Sequence, residues 1–285
     1  MPPSGTGPQN ARVQLLQRAV FALQTRQFGV AEQIAADVLK ANRTDVGAAS
    51  ILARALMAQN RTGEAIPHLE RAAKRSDDPG IETLLGAALG SAGKRADAIE
   101  LLRRTSSRRP PFLPAFQELA GQLSQDGRFD EAIAVVQSGL ALAPGALDLE
   151  LDLARLHLHR NDRAQARAIL TKLDKLAPGR PDVLSILGRV LMLEGEYPAA
   201  ADSFRRALGL RPEDALLRAD LATCLLEMGD RQGGEATLRS ALAGRPQLLG
   251  RATYALVHSS HGRFFFHQSA ATKFLGADAA APTKP

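Results

Sequence analysis

Residues 181–214, PDVLSILGRVLMLEGEYPAAADSFRRALGLRPED, decide the fold of this chain. Apolar residues recur at intervals of three and four on both sides of the central GEY, which is the spacing of two amphipathic helices. Gly195 follows the first helix at the position where a left-handed residue ends a helix. Pro212 cannot continue the second helix, because it lacks the backbone N–H and clashes with the preceding turn. The stretch therefore predicts two antiparallel helices joined by a tight turn.

The same unit recurs along the chain. Prolines are spaced by 34 residues at Pro110, Pro144, Pro178, Pro212 and Pro246. Small residues keep this period with one interval of 33, at Ala31, Ala65, Ala98, Ala132, Ala166, Ala200 and Gly234. A fixed period of this length indicates a solenoid of stacked helix pairs. We predict an all-α fold with seven units in residues 12–247, starting near residues 12, 46, 79, 113, 147, 181 and 215.

Two further series support close packing and tight turns in each unit. Gly188 and Ala200 are small where two antiparallel helices must approach closely, and the equivalents of Gly188 are also small: Ala53, Gly86, Ala120, Ala154 and Ala222. The predicted left-handed turn residues are Gly or Asn: Asn60, Gly93, Gly127, Asn161, Gly195, Gly229 and Gly262.

The sequence resembles the tetratricopeptide repeat. Its signature positions in the clearest unit are occupied by Leu184, Leu187, Gly188, Leu191, Tyr197, Ala200, Phe204, Ala207 and Pro212. The family's Trp is absent throughout, and Arg26 replaces the usual Gly in the first unit. The resemblance implies a right-handed α-α superhelix. It also implies that the first helix of each unit lines an inner groove that receives peptides or protein segments.

Composition and charge narrow the possible partners. Hydrophobic residues make up 45% of the chain and aromatic residues 4%, so Leu, Ala, Ile and Val must build the core. The net charge is +6, but basic and acidic residues are interleaved. The densest basic patch is Arg103, Arg104, Arg108 and Arg109, for which two interpretations stay open: complementing a helix end, or binding an anion. No aromatic residues interleave with these arginines to stack bases, so we expect no nucleic-acid partner.

No pattern of residues indicates catalysis, a cofactor or a metal. Cys224 is the single cysteine and lies among leucines, which predicts a small core residue. His258, His261 and His267 lack a fourth ligand. No apolar stretch is long enough for membrane insertion, and residues 1–10 lack the core of an export signal. We expect a cytoplasmic protein, although a chain whose export signal had been removed would look the same.

The resemblance transfers the groove positions to this chain. The candidate binding residues are Arg54, Gln117, Arg155, Arg189 and Thr223. Arginine offers two parallel N–H donors to a carboxylate, so Arg155 and Arg189 are candidates for binding an acidic segment. The alternative is that both form ordinary ion pairs with neighbouring aspartates, namely Asp148, Asp152, Asp182 and Asp220.

The C-terminal region departs from the repeat. Residues 248–276 keep the helix-turn-helix rhythm but put His267 at the small-residue position, and they concentrate four phenylalanines: Phe264, Phe265, Phe266 and Phe274. Bulky aromatics close the last open face in one interpretation, and form a docking site in the other. Residues 1–11 and 277–285 are small and polar or contain proline, so we expect both to be disordered.

These observations favour a non-catalytic scaffold that binds a peptide or protein segment, including an acidic one. Two alternatives stay open. The chain is a recruiting or regulatory module of a separate enzyme, transport or polysaccharide system, or it self-associates through the aromatic C-terminal unit.

Overall fold

The structure, a computed structural model, describes residues 8–265 and 267–276. Every regular element in these ranges is helical, which confirms the predicted all-α fold. The chain forms two compact units, residues 1–145 and 146–285. The predicted disordered tail at 277–285, residues 1–7 and Phe266 lie outside the described residues.

The first unit contains eight helices in its described part. They are α1 (Pro8–Gln24), α2 (Phe28–Ala41), α3 (Val46–Ala58), α4 (Thr62–Ala73), α5 (Pro79–Ser91), α6 (Arg95–Ser106), α7 (Leu113–Gln125) and α8 (Phe129–Leu142). Each helix packs against the next one along the chain, and α3 and α5 also pack against the first helices on either side. The unit is therefore a stack of helix pairs whose first helices lie side by side.

The second unit repeats this arrangement. It contains α9 (Leu147–His159), α10 (Arg163–Leu176), α11 (Pro181–Leu193), α12 (Tyr197–Leu210), α13 (Ala215–Glu227), α14 (Arg231–Leu242), a short 3-10 helix (Pro246–Leu248), α15 (Leu249–His258) and α16 (Gln268–Leu275). The first helices α9, α11, α13 and α15 again contact one another in sequence.

Helix α1 starts earlier than the sequence suggested. It begins at Pro8, so the predicted disordered segment of residues 1–11 is wrong for residues 8–11. A proline is well accommodated in the first turn of a helix, where its missing N–H would have no intrahelical partner, and the following Gln, Asn and Ala do not interrupt the helix.

The turns within the pairs are left-handed, with one exception. Gly195 has φ +79°, as predicted, and Arg26 adopts φ +59° in the first pair. Gly262 is not in the left-handed region, so this prediction was wrong. A Cβ atom there would lie 1.8 Å from the carbonyl oxygen of Leu256. Gly262 is therefore required by close backbone approach, because the chain after α15 folds back over the end of that helix.

Small residues let large ones fill the core between paired helices. A Cβ atom on Gly188 of α11 would lie 2.7 Å from the ring of Phe204 on α12. A Cβ atom on Gly86 of α5 would lie 2.6 Å from Leu102 on α6. Both large side chains are fully buried. This confirms the packing role predicted for Gly188.

Cys224 is fully buried on α13. Burial, and next the nearby charge of Asp220, raise the pKa of its thiol to about 12. Because the thiolate is the reactive form, we expect Cys224 to react with a disulfide reagent at least about a hundredfold more slowly in the native protein than in guanidinium chloride. Fast labelling without denaturant would show that α13 opens readily.

Candidate functional site

The exposed face of the first helices in the first unit carries one arginine beside small residues. Arg54 on α3, Ala87 on α5 and Gly121 on α7 occupy the same position of successive repeats. Arg54 is exposed and makes no ion pair or hydrogen bond within the part of the chain that the structure describes. Open space lies above Gly121, since an added Cβ atom would meet no atom within 4 Å. Gln117 is half-buried one turn before Gly121.

The corresponding face of the second unit is dominated by ion pairs. Arg155 on α9 donates to Asp152 of the same helix at 3.0 Å. Arg189 on α11 donates to Asp220 on α13 at 3.1 Å. These are the aspartate pairs that the alternative interpretation predicted. The hydroxyl of Thr223 donates to the carbonyl oxygen of Ala219 at 3.1 Å.

Asp220 joins three consecutive first helices. Its side chain is 2% exposed and accepts hydrogen bonds from Arg189 on α11 and from Arg251 on α15. A carboxylate this deeply buried needs charged or hydrogen-bonding partners. Arg189 is therefore committed to holding Asp220, whereas Arg155 is half-exposed and pairs with Asp152 of its own helix.

Acidic residues at the start of α9 and α11 are also neutralised. Arg180 pairs with Asp182 at 2.6 Å and with Asp148 at 2.8 Å. The hydrogen bond from Arg180 lowers the pKa of Asp182. With these pairs and those of Asp152 and Asp220, positive and negative charges on this face are closely balanced.

The arginine cluster at the end of α6 makes mainly structural contacts. Arg103 pairs with Glu131 at 2.7 Å, and Arg108 pairs with Glu82 at 2.6 Å. Arg109 donates to the backbone carbonyl oxygens of Ser107 and Arg108. These contacts favour the first of the two interpretations of the cluster.

The C-terminal aromatic residues divide into two groups. Phe265 and Phe274 are partly buried against the core formed by α13, α14 and α15, with ring centroids 5.4 Å apart. Arg239 and Arg263 lie over the ring of Phe274 at 4.5 and 4.6 Å. Phe264 is 67% exposed. Phe265 and Phe274 therefore fit the interpretation of this region as a cap. Of the described phenylalanines in this group, Phe264 is the one whose exposure fits a docking site.

Models of known protein families match most of this chain. Two models described as tetratricopeptide repeat match the chain, one over residues 10–79 and 83–146 and the other over residues 123–190 and 191–256. The chain belongs to the tetratricopeptide repeat family. Proteins of this family are generally protein-interaction scaffolds, and the fold is typically non-catalytic.

Similar proteins include longer tetratricopeptide repeat (TPR) proteins. The TPR repeat-containing protein YpiA of Bacillus subtilis is 22% identical over 202 residues, which cover 70% of this chain and 48% of YpiA. Cellulose synthase 2 operon protein C of Komagataeibacter xylinus is 28% identical over 158 residues, covering 53% of this chain and 12% of that protein. The chain thus spans less than half the length of either relative.

A solved structure shows the same fold. The tetratricopeptide repeat protein of Parabacteroides merdae superposes with a TM-score of 0.64 at 11% identity, covering 86% of this chain and 98% of that one. At this identity the likeness concerns the fold alone.

Sequence reasoning missed one carboxylate of this TPR array and its partners. Glu235 on α14 is buried and accepts from Arg231 and Arg263, both at 3.1 Å, with Arg239 at 3.6 Å. Arg231 and Arg239 flank Glu235 at intervals of four, which was a readable signal. Arg263 lies in the degenerate unit, where the repeat period does not predict which residues meet. The same holds for Arg251, the partner of Asp220.

None of the described helices is long and apolar enough to cross a membrane. Within residues 8–265 and 267–276, no three His, Cys, Asp or Glu side chains are grouped to hold a metal ion.

Proposed function

We propose that this TPR protein is a non-catalytic scaffold that binds a segment of another protein along the first-helix face of its first unit. The observation that carries the proposal is the uncovered strip formed by Arg54, Ala87 and Gly121 on α3, α5 and α7. The backbone groups of these helices are used within the helices, so recognition must come from side chains. Small side chains allow close approach, and Arg54 supplies unused donors.

The face of the second unit contributes less in this proposal. Arg155 can leave Asp152 for a ligand at small cost, because exposed ion pairs of this kind are worth about 0.5 kcal/mol. Arg189 cannot do so without affecting the buried Asp220. We therefore expect Arg54, Gln117 and Arg155 to matter more for binding than Arg189 or Thr223.

Site-specific photo-crosslinking tests the proposal. Benzoylphenylalanine replaces Gly121 on the strip or, as a matched control, Gly209 on the second helix α12, which also has open space above it. In native cell extract we expect a distinct crosslinked protein at position 121 that is absent at position 209 and weakened by Arg54→Ala. The same products at both positions would contradict binding on this face, and crosslinks to the chain itself alone would favour self-association.

A second candidate function rests on the similarity to Cellulose synthase 2 operon protein C. In that case the chain is a recruiting module of a polysaccharide-producing system. The identity of the protein crosslinked at position 121 distinguishes the two: a component of polysaccharide synthesis would favour the second candidate, and an unrelated protein the general scaffold.

A further inference from the structure

A groove between the second helices α2 and α4 of the first unit is lined mainly by nitrogen donors. Its floor is formed by Ala36 and Leu39, and its rim is formed by Lys40, Arg43, His68 and Arg71. The groove has a volume of about 650 Å³ and is open to solvent. No carboxylate is among its lining residues.

The contact with Arg71 makes the Nε2–H of His68 a further hydrogen-bond donor in the groove. Arg71 donates to the backbone carbonyl oxygen of Pro67 at 2.9 Å and lies 3.2 Å from Nδ1 of His68. A guanidinium group has no acceptor, so Nδ1 must be the unprotonated nitrogen and Nε2 carries the hydrogen. Burial, with the charge of Arg71, lowers the pKa of His68, in keeping with a neutral ring in a positive environment.

The cations of the rim are only weakly neutralised. Lys40 pairs with Asp37 at 2.8 Å, and both side chains are more than half exposed, so water screens the pair. Arg43 has no ion pair or hydrogen bond within residues 8–265 and 267–276. By contrast, Arg61 at the start of α4 is held by Glu32 and Glu64. The groove thus presents three cations and one imidazole N–H to solvent with one exposed carboxylate beside them.

We propose that the groove between α2 and α4 binds an acidic segment of a partner protein. Its volume exceeds what one carboxylate or phosphate group fills, whereas a segment with several carboxylates matches donors that stand on two helices. The apolar floor at Ala36 and Leu39 accommodates an aliphatic side chain between the acidic ones. This inference rests on the proposed function in one respect, that the partner is a protein, and it assigns the acidic contact to second helices.

The test uses the full chain and a synthetic acidic peptide, EDLEDEDL, blocked at both ends. Binding is measured by calorimetry at low salt and by the imidazole Cε1–H signals in proton NMR, with His68 assigned through His68→Gln. We expect the peptide to bind and to shift the His68 signal more than those of the other five histidines. The neutral peptide QNLQNQNL is expected not to bind.

Variants locate the contact. Arg43→Gln with Arg71→Gln is expected to weaken peptide binding about tenfold, which is about 1.4 kcal/mol, since two exposed charge contacts are lost. The matched control Arg128→Gln with Arg206→Gln removes the same charge from residues already paired with carboxylates elsewhere. It is expected to change the affinity less than about twofold.

Three results would overturn the inference: an unshifted His68 signal, equal losses in the two double variants, or tighter binding of a single-stranded oligonucleotide of the same charge through Arg43 and Arg71. The proposed function fails separately, because it is tested by crosslinking at position 121. A partner captured there without peptide binding at α2 and α4 contradicts only this inference.

Discussion

Replacing Phe204 by alanine is expected to lower the free energy of unfolding by about 3–5 kcal/mol. Phe204 is fully buried on α12 and packs against Gly188 of α11. Since Gly188 has no side chain that could move into the space left by the ring, the cavity would persist. Urea unfolding followed by circular dichroism measures the loss.

The matched control is the same substitution at an exposed ring. Phe21 on α1 is 64% exposed, so Phe21→Ala is expected to cost less than about 1 kcal/mol. A comparable loss at both positions would mean that aromatic content, and not the Gly188 contact, determines stability.

A size exchange tests the contact itself. Gly188→Leu alone is expected to destabilise the chain by about 3 kcal/mol, because its side chain would overlap the ring of Phe204. In the Phe204→Ala background the same leucine has space, and we expect it to recover part of the lost stability. Equal effects of Gly188→Leu in both backgrounds would contradict a direct contact.

Much of this fold could be predicted because the repeat encodes local structure several times over. Pro181 favours the start of a helix, Gly195 ends it in the left-handed conformation, and Gly188 leaves room for Phe204. Each of these residue types recurs at the equivalent position of at least one other repeat, so a prediction that is ambiguous in one repeat is resolved by comparison with its neighbours. Gly262 lies in the degenerate unit without this redundancy, and there the prediction failed.

The pairing of the first-helix arginines was less predictable, because it depends on which side chain lies within reach. Arg54 has Ile51 one turn before it and Leu84 at the matching position of the next first helix, and it has no partner among the described residues. Arg155 has Asp152 one turn before it, and Arg189 has Asp220 on the next first helix. A comparison of these positions across repeats would have predicted the pairs. The groove between α2 and α4 depends on the distance between two second helices, which no period specifies.

Removing Arg189 and Arg251 together is expected to cost more than the sum of the two single substitutions. Either Arg189→Ala or Arg251→Ala leaves Asp220 with one partner and is expected to cost about 1 kcal/mol. The double variant leaves a carboxylate that is 2% exposed without either arginine, which is expected to cost about 3–5 kcal/mol. A double-mutant cycle by urea unfolding measures the difference.

Two variants separate this effect from loss of charge. Arg54→Ala with Arg155→Ala removes the same two positive charges from exposed first-helix side chains and is expected to change stability by less than about 0.5 kcal/mol. Asp220→Ile in the chain that lacks both Arg189 and Arg251 places an apolar residue at the position that Ile186 occupies in the preceding repeat. We expect it to recover most of the loss, since replacing a buried ionic cluster by well-packed apolar side chains is often neutral.

The outcome also decides how binding experiments on this face must be designed. If the cycle is additive and Asp220→Ile recovers nothing, Asp220 is hydrated in solution and Arg189 is free to meet a ligand. If the losses are synergistic, a binding defect of Arg189→Ala reflects disturbed packing of α11, α13 and α15. The groove role of Arg189 would then be testable only in a chain that already carries Asp220→Ile, where its guanidinium no longer supports a buried carboxylate.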